Sequence, residues 1–161
     1  MRPRMTGVCF KKLTEAESCL LEKDFNLEEV RLVLSKCEGN KAPGPDGFNL
    51  NFVKAHWRDI QEDFMNFMKE FHNDWSMVKD VNRTHVVLIP KVGRPETIKD
   101  FRPISLVSSM YKILAKVLAN RLRKVMDAII GESQMAFVKN RQISDSFVIA
   151  EEIIRKWKND K

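Results

Sequence analysis

The chain has little of what marks several common protein classes. Only three of its 161 residues are cysteine, at positions 9, 19 and 37, an odd number with no C-x-x-C pair. That usage argues against a disulfide framework or a cysteine zinc module and fits a reducing, intracellular setting, nuclear or cytoplasmic. His56, His72 and His85 form neither an i,i+4 pair nor an H-E-x-x-H motif, so metal ligation by them is not expected. No apolar run approaches the roughly 20 residues of a membrane helix, and residues 1–6 lack the apolar stretch of a secretory signal. No membrane partner is expected. Six glycines and six prolines are too few for a low-complexity chain. No Asp-Asp pair occurs, and Glu28-Glu29, Glu62-Asp63 and Glu151-Glu152 each fall on a predicted helix surface among other charges. Two-metal phosphoryl transfer needs paired carboxylates converging on one site, so no catalytic and no metal-binding residue is assigned.

What the sequence does have is positive charge, unevenly placed. The net charge is +6; residues 1–80 hold 12 basic and 14 acidic side chains, residues 81–161 hold 16 and 8. A basic half suits a polyanionic partner, nucleic acid or phosphate ahead of an anionic membrane surface, with a merely solvated basic face as the equal alternative. The 43% hydrophobic content is enough to bury a core in one domain or two small lobes.

Residues 1–13 show no period and read as loop or a docked arm. Thr14-x-x-Glu17 and Asn26-x-x-Glu29 have capping-box spacing. After the second, Leu27, Val30, Leu34 and Cys37 recur at steps of three and four, and Gly39-Asn40 is the expected stop. Residues 39–47, Gly-Asn-Lys-Ala-Pro-Gly-Pro-Asp-Gly, form a turn cluster. Proline fixes φ there, glycine permits φ above zero, and Asp46 can bond neighbouring amides, so the loop can be rigid. From about Asn49 to Asp74 the spacing predicts one long helix with Leu50, Val53, Trp57, Ile60, Phe64, Phe67 and Phe71 alternating at three and four. That is formally a coiled-coil seam, but its four aromatic positions favour packing on an irregular core.

His85-Val-Val-Leu-Ile-Pro90 reads as a short buried strand. Residues 91–100 read as loop, and 101–107 as a returning strand with Pro103 at an edge. Ser108 or Ser109 can cap a helix over roughly 109–130, apolar at Met110, Ile113, Leu114, Val117, Leu118, Leu122, Val125, Met126 and Ile129 and ended by Gly131. Residues 132–143 are expected to be irregular or extended. Ser144 can cap a last helix to about Lys158 that turns Phe147, Ala150, Ile154 and Trp157 inward. The fold class is α+β, mostly helical, with a short β-hairpin or small sheet.

Two groups of cations point toward phosphate. Lys112, Lys116 and Arg123 lie with Asn120 at steps of four, four and three on one helix face, and no acid occurs from 101 to 126. Faces made only for solubility usually interleave acids for i,i+4 pairs, so binding along a phosphodiester chain is favoured over cationic stems simply covering apolar surface. Lys91 and Arg102 flank the β-loop-β segment, with Arg94 and Lys99 between them, and strand ends can hold two cations as a clamp for a triphosphate.

Together the motifs resemble a known family. Lys41-Ala-Pro-Gly-Pro-Asp-Gly47 is similar to the opening motif of LINE-type, non-LTR retrotransposon reverse transcriptases, particularly those of plants. Leu88-Ile-Pro-Lys91, Phe101-Arg-Pro-Ile-Ser-Leu106 and Tyr111-Lys-Ile-Leu-Ala-Lys-Val-Leu-Ala-Asn-Arg-Leu122 resemble its first conserved block. Glu132-Ser-Gln-Met-Ala-Phe-Val-Lys-Asn-Arg-Gln-Ile143 resembles the second. Asn140 departs from the family's usual glycine, which leaves that loop less suited to φ above zero.

The resemblance implies an N-terminal helical extension over 1–80 and a fingers-like subdomain over 81–161, with the palm absent. It implies that Lys91 and Arg102 contact the phosphates of the incoming nucleotide, and that Gln134, Phe137 and Arg141 lie along template or primer. Pro43, Gly44, Pro45, Asp46 and Gly47 would contact or brace the template strand. RNA and DNA template and primer are the implied partners, together with the palm and thumb of a longer polymerase. Magnesium belongs to the full-length enzyme; no cofactor is expected on this chain, which should be inactive alone. A stand-alone, non-catalytic RNA- or DNA-binding module and an unstable fragment are the alternatives.

Overall fold

The computed structural model describes residues 11–131, 134–138 and 140–159, so of the loop or arm expected over residues 1–13 the first ten lie outside the described residues, and 11–13 carry no helix or strand. The elements are α1 (Glu15–Glu22), α2 (Leu27–Lys36), α3 (Leu50–Ala55), α4 (Trp57–Asp74), β1 (Thr84–Pro90), a 3-10 turn (Ile98–Asp100), β2 (Phe101–Val107), α5 (Ser109–Ile129) and α6 (Ile143–Asn159). The expected class holds: mostly helical, with one two-stranded antiparallel sheet among the described residues. The chain divides into two compact units, one of Lys23–Ala119 and one of Met1–Glu22 with Asn120–Lys161.

The larger unit holds the core. Val30, Val33, Leu34 and Cys37 on and just after α2 meet Leu50, Val53, Trp57, Phe64, Phe67 and Met68 from α3 and α4, and Ile113, Leu114 and Val117 from α5. Each arrives on a stripe spaced three or four residues apart, which is what a helix needs to present one continuous apolar face. Full burial of a side chain such as Met68 or Ile113 contributes about 1.5–3 kcal/mol. Aromatic packing adds direction: the Trp57 and Phe64 rings lie 5.6 Å apart, and Phe64 and Phe67 meet edge to face at 5.9 Å.

The local start signals act as their spacing predicts. The Glu17 amide donates to Thr14 Oγ1 (3.3 Å) while the Thr14 amide donates to Glu17 Oε2 (2.8 Å), a complete capping box on α1. The Thr14 amide first, and then the Thr14 hydroxyl, which donates to the same Oε2 (2.9 Å), hold the Glu17 carboxyl below the ordinary carboxylate range. At α2 the Asn26 side chain accepts the Glu29 amide (2.8 Å). The α2 helix ends at Lys36, earlier than Gly39-Asn40, with Cys37 extended and its amide on the Leu34 carbonyl.

Four expectations are corrected. The helix over 49–74 is broken at His56 (φ −100°, ψ 17°), whose amide and Nδ1 both donate to the Phe52 carbonyl while α4 restarts at Trp57. The apolar stripe survives because Val53 and Trp57, four residues apart across the break, both remain buried. The strand at Thr84–Pro90 forms, but every residue in it is exposed, because among the described residues no layer covers either face of the sheet. On α5, Leu122 is 49% exposed and Arg121 is buried instead, with Arg121 Nη1 donating to the Leu21 carbonyl (3.2 Å) in the smaller unit. Position 121 continues the four-residue row through Val117 and Val125, so helical phase outweighs polarity there. Finally, Ser144 lies inside α6 rather than at its cap, and Phe147, Ala150, Ile154 and Trp157 are exposed rather than inward.

Met68→Ala should lower stability by about 2–5 kcal/mol through lost contacts and a residual cavity. Ile154→Ala, on an exposed face, should stay within about 0.5 kcal/mol. Denaturant midpoints of the two variants, compared with the parent chain, check both values.

Candidate functional site

The segment 43–47 closes on itself and then onto the start of α5. The Gly47 amide donates to the Gly44 carbonyl (3.0 Å), making a turn with Pro45 and Asp46 at its centre and Gly47 at φ 73°. Gly44 is buried against backbone: a Cβ there would stand 2.3 Å from the Val107 carbonyl oxygen and 2.7 Å from the Ser108 nitrogen. No side chain fits that approach.

Asp46 was expected to bond neighbouring amides. Its carboxylate instead reaches 63 residues along the chain, where Asp46 Oδ2 accepts the Ser109 amide (2.6 Å) and also the Ser109 hydroxyl. The other oxygen, Oδ1, is buried without a hydrogen-bond partner. A carboxylate on the first amides of a helix satisfies a donor that has no intrahelical partner and faces the positive end of the helix dipole. Ser108 provides the ordinary cap: its Oγ accepts the Tyr111 amide (3.2 Å) and donates to the Val81 carbonyl (2.7 Å). Lys112 Nζ donates to the Ala42 carbonyl (3.3 Å), so this cation is engaged by the loop rather than free on a stripe. Loop, end of β2 and first turn of α5 thus form one hydrogen-bonded junction.

The hairpin carries the second group of cations. Its register pairs Ile89 with Arg102 and Pro90 with Phe101, and the Lys91 amide continues the ladder to the Asp100 carbonyl (2.7 Å). Lys91 therefore follows Ile89 by two and falls on the same face as Arg102. Both are exposed. Lys91 Nζ donates to the Lys99 carbonyl (2.7 Å), which pins the ammonium to the hairpin tip. That tip is itself ordered by Asp100, whose Oδ2 accepts the Thr97 amide (2.9 Å), the Glu96 amide (3.1 Å) and the Thr97 hydroxyl (3.1 Å). The Thr97 amide first, then the other two, hold the Asp100 carboxyl below the ordinary carboxylate range.

Of the remaining residues named from the sequence, Lys116 and Arg123 are exposed on α5, and Arg123 Nη1 lies 3.4 Å from Asn120 Oδ1. In the smaller unit Gln134 and Arg141 come together. Arg141 Nη1 donates to the Gly131 carbonyl (2.6 Å) and the Gln134 carbonyl (2.8 Å), and Gln134 Nε2 donates to the Ala136 carbonyl (3.1 Å). This clamp leaves Phe137 fully exposed at φ 64°. Asn140 sits at φ 63°, so the expectation that it resists positive φ is corrected: after glycine, asparagine is among the residues that enter the left-handed region most readily. Glu132, Ser133 and Lys139 of the same block lie outside the described residues. The acidic doublets occupy three different helices, α2, α4 and α6, and among the described residues no group of three or more His, Cys, Asp or Glu could hold a metal ion. They do not supply the donor set that paired magnesium ions require.

Comparison with known proteins gives the context for this geometry. Residues 89–161 match the family described as reverse transcriptase (RNA-dependent DNA polymerase). The chain is similar to a "Transposon TX1 uncharacterized 149 kDa protein" of Xenopus laevis, at 31% identity over 134 residues, which is 83% of this chain and 10% of that protein. It is also similar to a "Retrovirus-related Pol polyprotein from type-1 retrotransposable element R1" of Bradysia coprophila, at 27% identity over 135 residues, 79% of this chain and 13% of that protein. The chain therefore spans about a tenth of the length of the curated relatives it matches. Neither relative is from a plant, so the plant affinity rests on the opening motif alone.

Asp46→Ala removes two bonds to the helix start and should cost about 1–3 kcal/mol, read as faster amide hydrogen exchange over 108–112. Gly44→Ala should loosen the same amides by forcing the loop off Val107. The Asp100 contribution to hairpin order, from a depressed carboxyl, should be complete above the ordinary carboxylate range. It should fade as pH falls through the lowered value. Titration of the Thr97 amide by NMR follows it, and Asp100→Asn should flatten the curve.

Proposed function

From the premise that this chain carries reverse-transcriptase sequence of the non-LTR retrotransposon kind, we propose that it grips template, primer and nucleotide phosphates without itself performing polymer synthesis. In this reading residues 1–80 are an N-terminal helical extension and residues 81–161 a fingers-like subdomain. Arg102 and Lys91, on one face of the hairpin, meet the phosphates of an incoming nucleotide. Lys116 and Arg123 track the phosphodiester chain, with Lys112 bracing the Pro-Gly-Pro-Asp-Gly loop beside it. Gln134, Phe137 and Arg141 run along template or primer, RNA or DNA. The observation that carries this is the stretch 101–126, which has no acid and presents Arg102, Lys116 and Arg123 to solvent.

Magnesium would supply charge neutralisation at the transferred phosphate in the full enzyme. The described residues offer no acidic set for it, so no metal-borne step is assigned to them. The partner that supplies those acids is the palm, with the thumb, of a longer polymerase. The exposed apolar faces of the hairpin and of α6 support that partnership: Val86, Leu88, Phe147, Ile154 and Trp157 are each between 45% and 76% exposed. The same exposure favours a second reading, in which the isolated chain lacks a cooperative fold. A melt without a transition, together with dye binding to exposed apolar surface, would establish it.

Affinity for mixed-sequence single strands should fall as salt rises from about 50 to about 200 mM, with a log–log slope of about −0.7 for each phosphate contacted. Lys116→Glu with Arg123→Glu should flatten that slope by about 1.4. Absence of binding at low salt refutes the grip. In a primer-extension reaction with Mg²⁺ the chain alone should give no product, and measurable synthesis refutes the assigned inactivity.

A further inference from the structure

The hairpin tip carries a charge that works against the cations around it. Between Asp80 and Asp127 the only acids are Glu96 and Asp100, and Asp100 stands next to Lys99 and two residues before Arg102. Across the ladder its carbonyl accepts the Lys91 amide (2.7 Å). A carboxylate beside cations that grip a polyanion weakens their pull on it. Asp100 does not form an ion pair with any of them; the ion pairs among the described residues lie elsewhere.

Its hydrogen bonds point to another use. The donors on Oδ2, the Glu96 amide, the Thr97 amide and the Thr97 hydroxyl, all come from the tip itself. With the Asp100 amide on the Thr97 carbonyl (3.0 Å) and the Phe101 amide on the Ile98 carbonyl, they close 96–101 into one tight turn. The last carbonyls of such a turn have no partner inside it, and a lysine can take them. Lys91 takes two in succession: its amide bonds the Asp100 carbonyl and its Nζ the Lys99 carbonyl (2.7 Å). Residue 91 is thus held at its backbone and at the end of its side chain by a turn that one carboxylate closes. The ammonium is fixed, not used up. It is exposed, and an ammonium has further N–H donors beyond the one given to Lys99. Ordering a long lysine before a ligand arrives removes rotamer entropy that binding would otherwise cost.

We propose that Asp100 is a positioning residue: its carboxylate closes the tip so that Lys91 stands ready, on the face it shares with Arg102, for the phosphates of a nucleoside triphosphate. This rests on the proposed grip of Lys91 and Arg102 on nucleotide phosphates and adds the residue that sets Lys91 in place. Asp100 itself acts through Lys91 and touches no phosphate. A like charge is tolerated near the ligand because the order it brings to Lys91 outweighs its repulsion.

The test is calorimetric titration of the full chain, at low salt, with a deoxynucleoside triphosphate. Charge alone and position give opposite signs. Removing a nearby negative charge should tighten binding of a polyanion, whereas Asp100→Ala should weaken it between about twofold and tenfold, because the turn opens and Lys91 is released. Asp100→Asn keeps an oxygen for the Glu96 and Thr97 amides and should bind at least as tightly as the parent chain. In a Lys91→Met background Asp100→Ala should weaken binding no further; a hairpin that had merely come apart would lose Arg102 as well. Equal or tighter binding by Asp100→Ala, or the same loss with and without Lys91, overturns the positioning role while leaving the cationic grip intact. Parent-level affinity in Lys91→Met, or no binding by the parent chain, overturns Lys91 as a phosphate contact, and the positioning role with it.

Discussion

One carboxylate organises the larger unit. Asp46 crosses from a turn in the helical half of the chain to the first amide and hydroxyl of α5, and Gly44 permits the approach by lying flat against the Val107 and Ser108 backbone. Without that contact, a loop of glycine and proline would have only its own turn to hold it. With it, the end of the hairpin, the start of a 21-residue helix and the segment leading to Phe48 share one fixed point. Lys112, in the first turn of that helix, bonds the Ala42 carbonyl beside it. The unpartnered Oδ1 costs desolvation energy, which two charge-assisted bonds on the other oxygen offset.

Local chemistry was legible in the sequence. Thr14 and Asn26 cap helices because their side-chain oxygens sit at the right separation from an amide, a property of four consecutive residues. The hairpin was visible as two β-rich runs around a polar loop. The break at His56 was not, because the apolar stripe continues in phase across it. Side-chain type points Leu122 to the core, whereas helical phase buries Arg121; the four-residue row through Val117 and Val125 carries that signal. The cations of the candidate site were found by spacing and by the absence of acids. That Lys112 bonds the Ala42 carbonyl and Lys91 the Lys99 carbonyl depends on how distant or looped backbone folds back, which spacing does not encode.

The exposed strand and the exposed last helix share one cause. An apolar run reports that a segment needs cover, not that the cover is in the same described chain. The buried set of the larger unit draws on α2 to α5 alone, and neither β1 nor β2 contributes to it. In the smaller unit the buried residues include Arg121, Val125 and Val138, a thin interior for 17 residues of α6.

A two-stranded ribbon has two open edges. The outer edge of β1 runs through His85-Val-Val-Leu-Ile-Pro90, and along it half of the strand's amides and carbonyls face away from β2. Val86, Val87, Leu88 and Ile89 there carry no ionisable group, and no proline comes before position 90, which is the composition that templates cross-strand growth between molecules. Handled by itself, the chain is therefore prone to lengthen its own sheet with copies of itself. Its soluble yield should decline with concentration faster than its overall positive charge would suggest.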